Sequence, residues 1–309
     1  MAMTLMEAAK RVSGETKRAA VIEMFAANSD LLRAMTFEDI PGDALAYNVE
    51  AALPGVAFRG YNEGYSESTG LVNPEVERLR IVGGDLDVDK ALIKTRGPEI
   101  RSQEEAMKIK ATSLYLTDRM INGDSALNVR EFDGLRKRVV GAGLFPANLS
   151  APSANSPLSL EALDSAIDYV EGANVILVNK AMKRKLSKAA RANVGGDIEV
   201  AKDEFGFRIT MYNDIPMIIV DFNQLGQRII DFNEAGPGAG TTSTSIYVAN
   251  LGSGYVQGLQ NGTLEVEDLG ELDSKPVLRT RLEWLIGMAV MHGRSLARIW
   301  GITNADVTT

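Results

Sequence analysis

Few residues in this chain of 309 have the types and spacing that catalysis or ligand binding needs. Its one histidine, His292, would have to serve any Ser-His-Asp triad, and no G-x-S-x-G elbow accompanies it. A packing or surface role is the expectation. There is no cysteine, which excludes disulfides, thiolate zinc sites, iron–sulfur clusters and cysteine nucleophiles. One histidine is too few for a histidine-based metal centre. Asp85, Asp87 and Asp89 alternate along DLDVD in a way that invites a calcium reading. An EF-hand, however, would need glycine where Lys90 stands and glutamate where Arg96 stands. On a strand the three carboxylates make one charged face, solvated or paired with arginines. GPGAG, at Gly236 to Gly240, lacks the Lys-Ser/Thr that completes a phosphate-binding loop. Lys180, Lys183, Arg184, Lys185, Lys188 and Arg191 give one helix a basic face, but no aromatics interleave with them, so a solvated face is expected rather than a nucleic-acid site. The sequons at Asn148 and Asn261 carry no weight without a signal peptide. No catalytic, cofactor-binding or metal-binding residue is therefore expected, and the chain does not read as an enzyme.

Composition narrows the class further. Hydrophobic residues make up 45% and charged residues 24%, enough for a real core. The length allows one large domain or two lobes. A net charge of −8 argues against tight non-specific binding to nucleic acid or an anionic membrane. The longest apolar run, Trp284 to Met291, is eight residues, far short of the roughly 20 a spanning helix needs. MAMTLMEAAKRVSGETKRAA has no apolar h-region, so no secretory signal is read and a soluble protein is expected.

The elements that would position these residues are more telling. Residues 4–35 read as helix in two pieces weakened at Ser13-Gly14, with Val21, Met24, Phe25, Asn28 and Leu32 on a narrow stripe that suggests an arm packing on something else. ALAYNVEAAL reads as a strand ended by Pro54-Gly55. A hairpin follows, with arms near Val56 to Asn62 and Val76 to Val82 around a polar tip, Ser66 to Pro74. A capping box, Ser102 with Glu105, opens a long helix that Gly123 stops; its roughly 20 residues would span about 30 Å. Residues 141–158 are loop-like and mark a lobe boundary. Beyond it come a helix capped by Ser159, the strand ANVILVN, the basic helix, RITMYNDIPMIIVDF as strand, turn and strand, a loop from Asn233 to Ser245 that composition makes mobile, and SIYVANL. Val277 to Val290 alternates over fourteen residues, with Leu278, Thr280, Leu282, Trp284, Ile286, Met288 and Val290 on the apolar face. A strand that long, against a typical five or six, runs the length of an elongated lobe.

This order of elements, with the phrases LPGVAFRGYNE, NGD…EFDGL, NVILVN, DIPMIIVD and ARIWGI, resembles the major capsid proteins of tailed bacteriophages, of the Hong Kong 97 type. The resemblance implies an α+β fold with four parts. Residues 1–35 would be an N-terminal arm and 54–95 an extended hairpin loop overlying a neighbour. Residues 36–53, 96–140 and 255–291 would be the peripheral domain, with a spine helix at 99–123. Residues 141–254 and 292–309 would be the axial domain, with Asn233 to Ser245 near the capsomer axis. Some members of the family crosslink through a lysine in the extended loop. Between Phe58 and Arg80 this chain has none, so no intersubunit covalent bond is expected. The arm begins almost at Met1, so a scaffold is expected to be a separate protein.

The function this resemblance implies is self-assembly through hexamers and pentamers into an icosahedral shell around double-stranded phage DNA, without sequence-specific DNA binding and without a membrane. A separate scaffolding protein, a portal and a decoration protein are the further partners implied, and the location is the virion capsid, assembled in the bacterial host cytoplasm. Intersubunit contact is expected from Arg59, Glu63, Glu67, Glu75, Glu77, Arg78 and Arg80 on the hairpin and from Arg279, Arg281 and Glu283 on the long strand. Two alternatives stand beside this reading: an encapsulin-type compartment with the same fold, and a small-molecule α/β enzyme.

Overall fold

A computed structural model describes residues 3–5, 7, 16–139, 147–150, 155–191, 198–202, 208–236 and 242–308. In chain order the helices are α1 (Thr16–Ala27), α2 (Asp30–Ala34), α3 (Lys90–Arg96), α4 (Glu99–Asn122), α5 (Leu135–Arg138), α6 (Leu160–Tyr169) and α7 (Lys180–Arg191). The strands are β1 (Met3–Thr4), β2 (Thr36–Asp39), β3 (Ala44–Ala52), β4 (Leu71–Arg78), β5 (Arg80–Asp89), β6 (Ala147–Ser150), β7 (Val175–Val178), β8 (Ile198–Lys202), β9 (Arg208–Tyr212), β10 (Ile215–Ile219), β11 (Thr244–Ala249), β12 (Val256–Gln260), β13 (Glu265–Glu271), β14 (Val277–Val290) and β15 (Leu296–Ile302). The expected α+β class is what the chain adopts.

The first sheet is organised by the fourteen residues of β14. On one edge it pairs antiparallel with β12 and β13; on the other it pairs with β5, from Val277 opposite Asp89 to Ile286 opposite Arg80. Its alternation is a burial pattern: Thr280, Leu282, Trp284, Ile286 and Met288 are buried, and Glu283 is exposed. Trp284 centres an aromatic group, with Phe25 edge-on at 5.5 Å and Phe37 tilted at 5.3 Å. Phe25 and Ile22 belong to α1, so the N-terminal stripe packs on this subunit's own core rather than elsewhere. Hydrogen bonds fix it there: the Ser113 hydroxyl donates to the Phe25 carbonyl and the Thr117 hydroxyl to Ser29 Oγ. Residues 8–15, which hold the expected Ser13-Gly14 break, lie outside the described residues.

The long helix α4 begins three residues before the expected capping box. Pro98 precedes it without a side-chain cap, and Ser102 lies inside its first turns. Glu105 faces the sheet instead, accepting a hydrogen bond from the Thr280 hydroxyl at 2.8 Å and pairing with Arg101 at 3.2 Å. Gly123 ends the helix as expected, with an ordinary φ of −55°. Its role is close approach: a Cβ there would overlap the carbonyls of Phe132 and Arg119, and one on Gly134 would crowd the carbonyl of Ile121. The segment EFDGL can therefore fold back against the helix end.

The second sheet has the order β6-β15-β11-β7-β10-β9-β8. Period-two alternation divides it cleanly. Val175, Leu177, Tyr247 and Ala249 face the core shared with α4 and β14. Ile176, Val178, Ile246 and Val248 face a second core with Leu163 and Ala166 of α6 and Met182 and Leu186 of α7. β9 and β10 are joined through Asn213 and Asp214 with φ of 49° and 62°, residues suited to the primed turns of tight hairpins. The expected lobe boundary is thus bridged by one continuous core. The expectation of a mobile loop from Asn233 to Ser245 is corrected at both ends, because Glu234, Ser243, Thr244 and Ser245 are buried; residues 237–241, with most of GPGAG, lie outside the described residues.

The hairpin is built from other residues than the sequence suggested. β3 pairs antiparallel with β4, Ala44 opposite Arg78 through Ala52 opposite Leu71, as a separate two-stranded sheet. Residues 53–70 form no strand and make up its tip. The expected first arm, near Val56 to Asn62, carries Gly55, Gly60 and Gly64 in and around it, and glycine weakens a strand. The expected second arm divides at Leu79: β4 stays in the hairpin, and β5 enters the first sheet.

Candidate assembly surface

At its root the hairpin is fastened to the body. Leu79, with Ile40, Leu259 and Ala289, makes a small apolar core against which Leu45, Tyr47 and Leu285 pack. The Leu79 amide donates to the Asp43 carbonyl at 2.7 Å. Arg138 reaches Glu77 of β4, and the Tyr47 hydroxyl also approaches Glu77, at 3.5 Å. Burial, then the neighbouring Glu77 charge, pushes the Tyr47 phenol up to about 12. It stays a hydroxyl at neutral pH.

The tip is the opposite. Val56, Phe58 and Tyr61 are 96%, 107% and 102% exposed, close to full exposure. Among the described residues, nine of seventeen exposed large apolar side chains fall between Leu53 and Ile81. Local contacts only shape the tip. Arg59 donates to the Glu63 carbonyl at 3.1 Å and lies 5.2 Å from the centre of the Tyr65 ring, and the Gly60 amide donates to the Glu63 carboxylate at 2.8 Å. A surface of this kind, lifted off the body on a ribbon, marks an interaction site.

The ten residues expected to make intersubunit contact separate into groups. Glu67, Glu75 and Arg78 are exposed on the hairpin, and Glu283 is exposed on β14. Arg80 lies opposite Ile286 in the first sheet, half-buried. Glu77 is taken by Arg138, and Arg59 and Glu63 hold each other's segment. Arg279 and Arg281 are engaged within the subunit: Arg279 grips Asp87 through bonds of 2.6 and 2.7 Å, and Arg281 grips Asp85 at 2.8 and 3.1 Å. Those bonds hold Asp85 and Asp87 below the usual carboxylate range. Asp89 caps α3 through the Ala91 amide at 2.7 Å. The three aspartates thus have protein partners, and among the described residues no group of acidic or histidine side chains is arranged to hold a metal. His292 accepts the Arg294 amide on Nδ1 and stacks edge-on with Tyr255 at 5.6 Å. On α7, Lys180 and Lys188 are paired with Asp221 and Asp306. No helix among the described residues is long and apolar enough to cross a membrane.

Reasoning from sequence weighed the hairpin's charges and passed over its apolar residues. Magnitudes reverse that order. Fully burying one large apolar side chain contributes about 1.5–3 kcal/mol, whereas an exposed ion pair contributes about 0–1 kcal/mol. The signal was available in GVAFRGYNEGY: aromatic and branched residues spaced among glycines that prevent a strand from hiding them.

Comparison with known proteins agrees with this geometry. The family model described as "Major capsid protein GP7" matches residues 13–144, which contain α1, the hairpin and α4. No curated protein matches the sequence. Among solved structures, the chain is similar to the SrpI encapsulin of Synechococcus elongatus PCC 7942, at 15% identity and TM-score 0.65, over 98% of this chain and 97% of that one. It is also similar to the capsid of an empty GTA particle, at 13% identity and TM-score 0.60 over 89% and 90%, and to the capsid of cyanophage A-1(L), at 14% identity and TM-score 0.60 over 86% and 90%. Along nearly its whole length the chain thus has the Hong Kong 97-type fold of capsid and encapsulin shells, and a major capsid protein family model matches the part that holds α1, the hairpin and the long helix.

Proposed function

We propose that the protein assembles through hexameric and pentameric capsomers into an icosahedral shell enclosing double-stranded DNA. Assembly would take place in the cytoplasm of a bacterial host, with a separate scaffolding protein, a portal and a decoration protein as partners. The observation that carries this is the hairpin tip, where Val56, Phe58 and Tyr61 are presented to solvent by a ribbon whose root is buried. A monomer has no use for such a surface; a neighbouring copy covers it. Within this reading α4 is the spine helix of a peripheral domain built on the first sheet, and the second sheet is the axial domain. The net charge of −8 suits a shell that surrounds nucleic acid without condensing it. No small-molecule site is needed to account for any of these features, and the chain acts as a structural protein.

The encapsulin neighbour supplies a second reading, because it aligns over 98% of the chain with a TM-score of 0.65, above that of either capsid. Purification of particles from the native source separates the two. Nuclease-protected DNA inside shells is the expected result; shells that hold a defined protein cargo and no DNA favour the compartment. A protein that stays a compact monomer at all salt concentrations, with its scaffold supplied, would overturn both.

A further inference from the structure

Three consecutive basic side chains on α5 reach three different parts of the molecule. Successive residues of a helix point about 100° apart, so one turn can fan out its neighbours. Leu135, fully buried, pins this turn in the core. Arg136 lies 3.8 Å from the buried carboxylate of Glu234, which Arg298 of the second sheet also holds at 2.8 Å. Lys137 grips both oxygens of Asp124, just past the end of α4, at 3.0 and 3.1 Å. Arg138 bonds Glu77 at the hairpin root, donates to the Met288 carbonyl of β14 at 2.8 Å, and donates through Nε to the Asp133 carbonyl at 2.8 Å. Its side chain is only 11% exposed. Burial opposes the charge of Arg138, but Glu77 outweighs it, and the guanidinium is held above its usual range. Only a guanidinium has enough donors in a fixed fork to serve three acceptors at once.

We propose that Arg138 is the positioning residue that fixes the angle at which the hairpin leaves the subunit, and that Arg136 and Lys137 tie this angle to the second sheet and to the end of the long helix. The inference rests on the capsid reading and deepens it. A shell of hexamers and pentamers asks for a small, defined set of hairpin angles, and a joint that wanders outside that set blurs the diameter. Besides the continuous chain from β4 into β5, the body–hairpin joint rests on the apolar contacts around Leu79, on the Asn261 side chain donating to the Gly42 carbonyl at 2.9 Å, and on this guanidinium, which links Glu77 of β4 to β14. Without Arg138 the root keeps its apolar contacts and the bonds at Asp43 and Gly42, and loses those that hold Glu77 of β4 against β14.

The test uses the full chain with Arg138→Met, Arg138→Lys and Glu77→Gln. In the unassembled subunit, Arg138→Met is expected to raise amide exchange at least tenfold across residues 44–52 and 71–78. Residues 175–178 and 244–249 should stay as protected as in wild type. Electron microscopy should then show a mixture of diameters where wild type gives one, with Arg138→Lys intermediate because it keeps charge but not the fork. If Arg138→Met yields no folded subunit, Glu77→Gln, which neutralises the partner alone, carries the same two readouts. Unchanged exchange at the root, or uniform shells of wild-type diameter despite faster exchange, overturns the proposal. Should wild type itself form no particles, the capsid reading fails, while the exchange experiment still judges the anchor.

Discussion

The chain builds two antiparallel ribbons in succession, β3–β4 and then β5–β14, and finishes only the second. Along β5–β14 the charges meet partners at once, Asp85 with Arg281 and Asp87 with Arg279, and the inner face closes over Trp284. Along β3–β4 the root is anchored, but the tip leaves Val56, Phe58 and Tyr61 in water. Both ribbons are rich in charge, so charge does not distinguish them. The difference is where the apolar residues point. A subunit satisfies what it can reach, and the residue types it leaves unsatisfied describe the neighbour it expects.

The strongest way to break this contrast is to remove the tip. Replacing residues 55–69 by a short Gly-Ser turn should leave the melting temperature within about 2 °C of wild type, since surface changes rarely exceed about 0.5 kcal/mol. The same change should abolish closed shells in electron micrographs. Normal shells from this variant would mean the tip is not an assembly surface.

In the finished ribbon the effect should fall on stability instead. Trp284→Ala empties the space between Phe25 and Phe37 and is expected to cost about 3–5 kcal/mol in denaturant unfolding. Gly258→Ala would drive a Cβ into the Phe37 ring, an overpacking that costs about 1–3 kcal/mol.

Point changes at the tip sharpen the comparison. Phe58→Ser or Tyr61→Ser should leave unfolding within about 0.5 kcal/mol of wild type. Each should weaken association by about 1.5–3 kcal/mol, read as a raised critical concentration for shell formation in light scattering. Charge changes such as Glu67→Gln should do much less.

The smallest effect belongs to the paired aspartates. Bonds from Arg281 and Arg279 lower Asp85 and Asp87 below their ordinary value of 3.8. The pairs therefore stabilise the fold fully above that pH and lose their contribution as pH falls through the lowered values. The double variant Asp85→Asn/Asp87→Asn should melt slightly lower than wild type at neutral pH. The gap should close in acid, and also in high salt, because the pairs are exposed.

Much of the fold was legible in the sequence. Val277 to Val290 was visible to the residue, because one face is apolar and one is not, and the period of two is unbroken. VILV was visible because both of its faces are buried. The α4 start was missed: Ser102 and Glu105 have capping chemistry, but Glu105 is claimed by Thr280, 175 positions away in sequence. The hairpin arms were misplaced for a related reason. Nothing local says that ALAYNVEAA pairs with LVNPEVER while RIVGGDLDVD joins a strand nearly 200 residues on. Register between distant strands is a tertiary fact. At the candidate surface the charges were seen and their partners were not, so Arg279 and Arg281 looked available when they are occupied. LRKR gives no local signal, because its partners lie at three separate destinations.

The order in which these strands leave the ribosome has a consequence of its own. β14 fills the centre of the first sheet, and β15 lies between β6 and β11 in the second. Synthesis proceeds from the N-terminus at about 5–20 residues per second, so both sheets wait for residues 277–302. Until then β5 lacks its partner, Phe25 and Phe37 lack Trp284, and the hairpin root lacks Met288 and Ala289. A nascent chain on a crowded polysome holds its adhesive tip on a base that is not yet built, and a fragment released early never aims it. A subunit cut short before residue 277 therefore lacks the base that aims its tip.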